Sequence, residues 1–580
     1  MRILQLDVDF VEYELVKPEI KNYEECESKR VRVEDALVLL TSIEKGDTEE
    51  EARRAVKDAV EFANSLKRGK LVIYPYAHLS SNLEEPGRAR ELLESMLSEA
   101  EKYGLVVTHA PFGWNKKLTV STKSHPFAEQ GKTYSVLVDG EKGAGPKRES
   151  VEKRAKSAFS AELTVDQMLA RLRKSDFSGL PETDHRVIGE KLDLFSFQEA
   201  SPGMVYWHDK GVRLRDLLVN FIKSELKKRG YLEISTAALA NTALWRVSGH
   251  WDHYKDNMFL TKLGDEEFGL KPMNCPSTFL VYKSRRWSYR DLPLRIADFD
   301  QLFRNELSGV TSGLFRVKIF TQDDAHIFAA EGQVKQVLSE QIEFMRYLYG
   351  VFKLDYKVKI STMPEKRLGT EEQWSEAIET LVSVVRENGL TYEMKEAEGA
   401  FYGPKIDVDI KDSMGREWQC ATVQLDYQMP KRFGLTYMGE DGKEHTPAVI
   451  HRVIYGSLER FIGIIIEHFQ GNLPVWLSPV QARVVSISEA TNEYAKRVYE
   501  RLDGAGIRAE VDVSNKTLDY KIREAQLMKI PYILVVGRKE ADSNTVALRV
   551  RGGEQKFGIR LEEFIERINH ETEERVVNVK

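Results

Sequence analysis

The sequence is poor in cysteine, in glycine and proline, and in long apolar runs, and each shortage excludes a class of protein. Its three cysteines, Cys26, Cys275 and Cys420, are too few and too far apart to form a disulfide framework. Glycine and proline total 56 of 580 residues, which excludes collagen-like and low-complexity chains. The apolar run 461–466 ends at Glu467, and no run approaches the ~20 residues that span a bilayer. The sequence MRILQLDVDF carries two aspartates where a signal peptide needs an apolar core, so we expect a cytoplasmic protein without a membrane partner.

Charge is plentiful but unevenly distributed. The 85 basic and 91 acidic residues give a net charge of −6, and 42% of residues are hydrophobic, which excludes a wholly disordered chain. Residues 1–140 sum to about −5, whereas residues 521–560 sum to about +5. Nucleic-acid affinity depends mainly on Lys and Arg at phosphates, so any such surface must be local.

The pattern of the chain predicts four segments. Residues 1–139 alternate strand-like runs with two amphipathic helices, which indicates a small α/β domain. Residues 140–184 are Gly-rich and then strongly charged, as in a linker that runs into a helical connector. Residues 185–472 mix strands and helices without βαβ regularity, which favours an antiparallel sheet with helices packed on it. Residues 473–580 alternate again and predict an α/β module with a mostly parallel core.

Two stretches of the middle segment carry isolated charges in apolar surroundings. Arg304 and Glu306 are two residues apart, so on a strand they would share a face. Such a pair is most often a surface ion pair, but an Arg can also bind phosphate bidentately beside a carboxylate that accepts from an adenine amino group. Arg460 lies in the nearly apolar stretch HRVIYGSLERFIGIIIE, whose spacing is helical. There it is either a buried ion pair or a ligand of a polyphosphate.

These stretches resemble motifs 2 and 3 of class II aminoacyl-tRNA synthetases, and further motifs resemble the threonyl-tRNA synthetase family in particular. The match runs in order along nearly the whole chain. The motifs are DHRVIGEKLDLF (184–195), GHWDHYKDNMF (249–259), KPMNCP (271–276), FRNE (303–306), FTQDDAHIF (320–328), GAFYGPKID (399–407), EWQCATVQLD (417–426) and HRVIYGSLERF (451–461).

The resemblance implies a multidomain fold of mixed α/β and α+β class. A class II antiparallel sheet core would lie between an N-terminal deacylase-like α/β domain and a C-terminal α/β anticodon-binding domain. It also implies ligation of L-threonine to tRNA(Thr) through an adenylate made from ATP, with Mg²⁺ at the phosphates, in a homodimeric enzyme. Arg304 and Arg460 would hold the α- and γ-phosphates, Glu306 would contact adenine, Lys405 would assist activation, and Gln419 and Arg316 would line the nucleotide site.

The resemblance further implies one zinc ion per subunit, held by Cys275, His326 and His451. Their spacing along the chain matches no local zinc signature, but three protein ligands leave an open coordination position. Such a metal would solve a selectivity problem, because a hydrophobic pocket separates threonine from isosteric valine only ~10²-fold. The expected threonine pocket comprises Gln322, Asp324, Tyr402, Gln424 and Ser457.

Serine also carries the hydroxyl and lacks one methyl group, which separates substrates by only ~10–200-fold, so a second, hydrolytic site is expected. YPYAHLSS (74–81), HAPFGWNKK (109–117) and KSHPFAE (123–129) resemble the archaeal-type editing domain of the same family. By that resemblance His78 and Lys116 lie at the scissile ester, supported by His125 and Glu129, and the RNA's own 2′-hydroxyl and a water carry out hydrolysis. The alternative is a structural histidine and a solvated lysine.

Several positions depart from the family pattern. Ala237 stands at the usual proline of motif 1, which builds the dimer interface, and Ser277 and Thr278 replace Gly-His. Asn115 and Thr122 replace a tyrosine and a cysteine of the editing domain. Residues 475–580 resemble the class IIa anticodon-binding domain. Its expected phosphate contacts are Lys521, Arg523, Lys529, Arg538, Lys539, Arg549 and Arg551.

Three other functions remain open on the sequence. A related class IIa synthetase for serine, proline or glycine would lack the zinc ligands. A catalytically dead paralogue that only binds RNA would not need Arg304, Glu306 and Arg460. A free-standing deacylase with an inert appendage would form no adenylate. Zinc content and amino-acid-dependent pyrophosphate exchange distinguish these cases.

Overall fold

A computed structural model describes most of the chain. It covers residues 1–134 and 175–577, apart from residues 21–22, 27, 67, 81, 124–128, 176, 178, 307–309 and 413–414. The predicted connector therefore lies almost wholly outside the described residues. The chain forms two compact units, residues 1–161 and 162–580. Among the described residues, no helix is both long and apolar enough to cross a membrane.

The first unit is an α/β fold, as predicted. Its sheet has the order β4-β3-β2-β1-β5, with β6 paired to the other end of β1. The strands are β1 (Arg2–Pro18), β2 (Arg30–Ser42), β3 (Lys70–Pro75), β4 (Val106–His109), β5 (Trp114–Thr122) and β6 (Glu129–Thr133).

Two amphipathic helices, α1 (Glu49–Ser65) and α2 (Pro86–Ala100), pack on this sheet. Alanines and valines spaced at three and four residues along α1 are buried, as the sequence pattern indicates. The end of α2 passes through a 3₁₀ turn to Gly104, whose φ of +75° is a left-handed conformation that glycine adopts at low cost. The two amphipathic helices predicted for this segment are therefore confirmed.

An eight-stranded sheet forms the centre of the second unit, in the order β18-β17-β19-β20-β23-β16-β13-β9. All its inner pairings are antiparallel, and only the two edge pairings are parallel. This confirms the expected antiparallel core. The strands of the sheet are β9 (Leu232–Ile234), β13 (Leu294–Asp298), β16 (Asp324–Ala329), β17 (Tyr356–Ser361), β18 (Tyr392–Lys395), β19 (Lys405–Lys411), β20 (Glu417–Asp426) and β23 (Ala448–Val453).

Helices and short sheets surround this core. The helices are α3 (His185–Lys191), α4 (Asp209–Lys228), α5 (Thr242–Ser248), α6 (His250–Tyr254), α7 (Cys275–Lys283), α8 (Val334–Phe352), α9 (Glu371–Glu387), α10 (Met429–Phe433) and α11 (Leu458–His468). The short strands are β7 (Phe195–Phe197), β8 (Val205–Trp207), β10 (Leu239–Asn241), β11 (Leu260–Leu263), β12 (Glu266–Leu270), β14 (Gln301–Phe303), β15 (Ile319–Thr321), β21 (Tyr437–Met438) and β22 (Glu444–His445).

Two local predictions in this unit are wrong. The stretch from His451 does not form one helix, because residues 448–453 extend as β23 and α11 begins only at Leu458, after the N-cap Ser457. Arg304 and Glu306 do not share a strand face, because β14 ends at Phe303. The N–H of Glu306 instead donates to the carbonyl of Arg304.

The C-terminal part of the second unit has a five-stranded sheet of order β25-β24-β26-β27-β28. The first three strands are parallel as predicted, but β26/β27 and β27/β28 are antiparallel, so the sheet is mixed. A glycine turn at Gly552 and Gly553 allows this last hairpin. The elements are β24 (Ala482–Ser486), β25 (Ala509–Asp512), β26 (Tyr532–Val536), β27 (Thr545–Val550), β28 (Gln555–Arg560), α12 (Asn492–Gly504), α13 (Leu518–Leu527), α14 (Arg538–Ser543) and α15 (Leu561–Glu573).

Candidate active site and candidate editing pocket

A cavity of about 380 Å³ opens on the central sheet of the second unit. It is walled by β16, β20 and β23 and by the segments that flank them. Thirteen of the fourteen residues expected in the synthetic site line it: Cys275, Arg304, Glu306, Arg316, Gln322, Asp324, His326, Tyr402, Gln419, Gln424, His451, Ser457 and Arg460. Residues that are up to 185 positions apart in sequence thus face one volume.

Cys275, His326 and His451 form a buried triad whose possible ligand atoms all lie within 4.8 Å of one another. Strand register creates it: His326 on β16 is paired with His451 on β23, and His451 is paired in turn with Gln424 on β20. Side chains at one register level of a sheet share a face. Cys275 is the first residue of α7, so the sulfur is presented at a helix N-terminus.

The hydrogen bonds of the triad suit a metal ion. Nε2 of His451 lies 3.0 Å from Oδ2 of Asp426, an arrangement that orients metal-bound histidines. Nδ1 of His326 is buried without a hydrogen-bond partner among the described residues. Burial raises the pKa of Cys275 well above its usual value and lowers that of His326 well below it. The bare triad is therefore a neutral thiol with a neutral imidazole, and a dication would favour the thiolate.

Three of the four arginines that line the cavity, Arg304, Arg316 and Arg460, lie close enough for their charges to interact. Arg460 Nε donates to the carbonyl of Phe315 at 2.9 Å, and its Nη1 donates to the carbonyl of Gln419 at 2.7 Å. Arg304 Nε donates to the carbonyl of Pro272 at 3.3 Å. Burial, together with the like charges of Arg316 and Arg304, lowers the pKa of Arg460. Like charges gathered in a cavity repel each other, so an anion bound among these arginines would be stabilised.

Glu306 forms an ion pair, but with Arg316 rather than Arg304. Arg316 Nη2 lies 2.9 Å from Oε2 of Glu306, and Nε lies 3.2 Å from the same oxygen. The pair joins the two segments that follow β14 and precede β15. The ion pair thereby holds the carboxylate at the cavity. A bound ligand could accept hydrogen bonds from Arg316 or donate them to Glu306 in place of this pair.

The residues expected to form the threonine pocket are polar and tightly interconnected. Asn274 Nδ2 donates to Oδ2 of Asp324 at 3.2 Å, and Tyr402 donates its hydroxyl hydrogen to Oε1 of Gln424. Gln322 forms a β-bridge with Ser457. Burial raises the pKa of Asp324.

Lys405 is the one expected residue outside the set that lines the cavity. It begins β19, in register with Gln424, and its Nζ lies 2.8 Å from Oδ2 of Asp407. Asp407 also accepts from Ser361 at 2.7 Å, from Thr422 at 3.1 Å and from Gln419. The lysine is thus one step from the cavity through Asp407.

Sequence reasoning missed Asp407, Asp426 and Asn274, which orient predicted residues. Asp407 and Asp426 end two of the quoted motifs, and Asn274 precedes Cys275. Each could have been found as a polar residue in an apolar strand or before a ligand. Their partners, however, are set by strand register, which the sequence does not display.

The first unit contains a second cavity, of about 480 Å³, lined largely by apolar and aromatic residues from β2, β3, α2 and β5. Lys116 on β5 lines it, with Nζ 2.6 Å from the carbonyl of Pro111 and 5.1 Å from the centre of the Tyr74 ring. Burial lowers the pKa of this lysine to about 8. His78 lies in the 3₁₀ turn Ala77–Leu79. The side chains of His78 and Glu129, and the whole of His125, lie outside the described residues.

The predicted phosphate contacts of the C-terminal sheet divide into two groups. Lys521 is 1% exposed and donates to the Ser486 carbonyl at 3.0 Å, and Arg551 donates to carbonyls that include Leu473 at 2.8 Å. The expectation is therefore wrong for Lys521, whose charge is used internally, whereas Arg551 is half-buried. Four others lie on the surface: Arg523, Lys529, Arg538 and Lys539. The seventh, Arg549, is half-buried.

Comparison with known proteins agrees with this geometry. The family model of the class II tRNA synthetase core domain (G, H, P, S and T) matches residues 259–469, and the anticodon-binding domain model matches residues 481–571. The antiparallel sheet and its arginine-lined cavity are therefore those of a class II aminoacyl-tRNA synthetase. The model of the Archaea-specific editing domain of threonyl-tRNA synthetase matches residues 1–134.

Individual relatives within this class act on threonine by name. The threonine–tRNA ligase of Desulforamulus reducens is 47% identical over 421 residues, which are 73% of this chain and 66% of that protein. The solved RNA-binding domain of threonyl-tRNA synthetase from Cryptosporidium parvum is 43% identical, with a TM-score of 0.66, and covers 67% of this chain and 98% of its own. An Aeropyrum pernix structure assigned as a threonyl-tRNA synthetase is 28% identical, with a TM-score of 0.60, and covers 68% of this chain and 95% of its own.

The chain belongs to the threonyl-tRNA synthetase family. It spans slightly under two thirds of the length of the curated relative from Desulforamulus reducens.

Proposed function

We propose that this protein ligates threonine to tRNA(Thr) through a threonyl-adenylate made from ATP, and that its first unit hydrolyses serine from mischarged tRNA(Thr). The observation that carries the proposal is the one cavity lined both by Arg304, Arg316 and Arg460 and by a buried Cys-His-His triad. One end suits a polyphosphate and the other an amino acid bound through a metal. Adenylate formation requires these two ligands side by side.

Cys275, His326 and His451 would hold a zinc ion, because a thiolate and two imidazoles are the donor set that this metal prefers. A zinc ion bound there would act as a Lewis acid with a coordination position open to threonine. Asp324 would accept a hydrogen bond from the threonine hydroxyl, and Asn274 fixes that carboxylate. Valine lacks the hydroxyl and would leave these polar groups unsatisfied, which is how a site rejects an isostere strongly.

The arginines would hold the nucleotide. Arg304 and Arg460 are anchored by carbonyls, so their charges are oriented before ATP arrives, which favours stabilisation of the transferring phosphoryl group. Glu306 and Arg316 would bind the adenine, with Gln419 at the edge of the site. Lys405 would supply positive charge near the reacting carboxylate, and Mg²⁺ would accompany ATP.

The test is ATP–pyrophosphate exchange with threonine, serine and valine on protein of known zinc content. We expect exchange with threonine, weaker exchange with serine and none with valine. Cys275→Ser should lose zinc and threonine-dependent exchange together. Cys420→Ser, at a second buried cysteine of the same cavity, and Cys26→Ser, at an exposed thiol, should keep both. Full exchange in a metal-free Cys275→Ser protein would contradict the zinc assignment.

Editing is proposed for the cavity of the first unit. Its apolar walls can enclose the end of an aminoacylated RNA, and Lys116 places a cation inside where it can polarise an ester or a water. Removal of residues 1–139 should leave threonine activation intact and allow seryl-tRNA(Thr) to accumulate. Unchanged hydrolysis of seryl-tRNA after this deletion would refute the assignment.

The homodimer is likewise a proposal. By resemblance, motif 1 includes β9, which is an edge strand of the central sheet with Leu232 52% exposed. An edge with an exposed leucine is suited to a partner subunit. Sedimentation of the full chain should give twice the mass of 66.5 kDa, and Leu232→Lys should reduce it toward one chain.

A further inference from the structure

We propose that His185 is a positioning residue for the nucleotide half of the active site, acting through the backbone of Leu314. This inference rests on the proposed function. His185 is the first residue of α3 and is fully buried, and it touches neither the arginines nor the Cys-His-His triad. It lies instead between α11 and the segment 312–316, which carries Phe315 and Arg316 into the cavity.

Both ring nitrogens of His185 are occupied. Nδ1 lies 2.8 Å from Oε1 of Glu467, which is also fully buried, and Nε2 accepts from the backbone N–H of Leu314 at 2.9 Å. A carboxylate cannot donate, so the ring hydrogen is on Nδ1 and Nε2 is the acceptor. The backbone N–H of His185 also donates to Oε1 of Glu467, at 3.0 Å.

This arrangement excludes a metal at Asp184, His185 and Glu467, although their possible ligand atoms lie close together. The imidazole has no lone pair left, and Asp184 is bound to Arg186 at 2.8 Å. The cluster is therefore a hydrogen-bonded support. Outside its own helices the cluster reaches the Leu314 N–H through Nε2 of His185, and Arg416 Nη2 lies 3.4 Å from Oε2 of Glu467.

The segment 312–316 is held from α11 at two points. Arg460 and Glu467 are seven residues apart on this helix, so they lie on the same face. Arg460 binds the carbonyl of Phe315 directly, and Glu467 binds the N–H of Leu314 through His185. The ring centres of His185 and Phe315 are 4.2 Å apart. Phe315 also stacks on Trp418 at 4.3 Å.

Gly313 shows how closely the segment approaches the imidazole. A Cβ at this position would lie 2.3 Å from Nε2 of His185, and the φ of Gly313 is +50°. A side chain there would push the segment away from His185. The glycine thus allows the Leu314 N–H to reach its acceptor.

Loss of the Nε2 acceptor of His185 should weaken binding of ATP more than binding of threonine. The segment 312–316 carries Arg316 and binds Arg460, whereas the triad lies on β16, β23 and α7. His185→Gln can keep an acceptor oxygen near the position of Nε2. His185→Asn can still donate toward Glu467 but is too short to reach Leu314. A buried N–H left without an acceptor costs enough free energy to change a binding equilibrium about tenfold.

The experiment measures KM for ATP, KM for threonine and kcat of pyrophosphate exchange in wild type, His185→Asn, His185→Gln and His445→Asn. His445 is an exposed histidine paired with Asp441. We expect His185→Asn to raise KM for ATP about tenfold with KM for threonine unchanged, and His185→Gln and His445→Asn to stay within about twofold of wild type. A purely structural role would lower kcat in both His185 variants and leave both KM values alone, which would overturn the proposal.

Gly313→Ala provides the second variant, because it leaves the buried His-Glu pair intact. It should also raise KM for ATP selectively, even if His185→Asn does not fold. An unchanged KM for ATP in Gly313→Ala would contradict the proposal. Absence of threonine-dependent exchange in the wild type would instead refute the proposed function, so the two failures are distinguishable.

Discussion

The cavity of the second unit is lined by four arginines and by a buried thiol with two imidazoles, whereas the cavity of the first unit has mainly apolar walls and one half-buried lysine. The first arrangement is suited to holding two charged substrates in fixed relative positions. The second is suited to enclosing a small side chain while one cation acts on its ester. Under the proposed function, the anchored charges of the first cavity would serve synthesis, and the lysine with a lowered pKa in the second would serve hydrolysis.

The largest expected effect separates the two cavities. Arg304→Ala should reduce threonine-dependent pyrophosphate exchange by about 10²–10³-fold, because one oriented donor at a developing charge contributes that much. Hydrolysis of seryl-tRNA added from outside should not change. Arg285→Ala, at an exposed arginine, is the control. A matching loss of hydrolysis would mean that the cavities are not independent.

A second change tests whether the triad depends on its support. Asp426→Asn weakens the contact with Nε2 of His451, and loss of such a partner typically lowers metal affinity 10–100-fold. Competition with a chelator should measure the shift in zinc affinity. Asp441→Asn, beside the exposed His445, should leave it unchanged. Equal affinity in both variants would show that the triad does not hold zinc through this arrangement.

A substitution of Lys116 in the first unit tests the opposite case, loss of hydrolysis with activation retained. Lys116→Met should slow seryl-tRNA hydrolysis at least about tenfold while threonine activation continues. Lys117→Met, at the next and exposed position of β5, is the matched control. Unchanged hydrolysis of seryl-tRNA in Lys116→Met would show that Lys116 is not part of the proposed editing site.

The same lysine predicts a pH dependence of stability. Its folded pKa of about 8 lies below the ordinary value of 10.5, so the unfolded chain binds more protons between these values. Stability should therefore rise in wild type, relative to Lys116→Met, as pH increases from about 8 to about 10. Thermal unfolding of both proteins across this range measures the difference. If the unfolding temperatures of the two proteins change in parallel with pH, the Lys116 amine is solvated and its pKa is not lowered.

Tyr402→Phe should have the smallest effect. It removes the hydroxyl that donates to Gln424, and loss of one neutral hydrogen bond corresponds to about a fivefold change. KM for threonine should rise by that factor while KM for ATP stays constant. A change confined to ATP would place Tyr402 on the wrong side of the cavity.

Local patterns predicted much of this fold. The amphipathic spacing of α1 and the alternation of β1 follow from which side chains must be buried, and both were correct. The helical spacing assigned to the stretch from His451 failed because β23 is buried on both faces, so its apolar run resembles a buried helix. Periodicity alone does not separate these two cases.

The candidate site was predicted from family motifs rather than from spacing. Nothing in the sequence shows that His326 and His451 are neighbours, because strand register is a long-range property. The partner of Glu306 was missed for the same reason: Arg316 returns to it only through the β14/β15 hairpin. Lys521 looked like a surface charge because helix α13 is polar, although it points into the sheet.

The rung formed by His326, His451 and Gln424 limits how the gene can change. Inserting or deleting one codon within β16 or β23 would rotate the following side chains to the opposite face and separate the two histidines. The turns outside these strands carry no such restriction, as at Gly552 and Gly553 beside β28. Length variation should therefore be tolerated at the periphery of the molecule and eliminated by selection in its central strands.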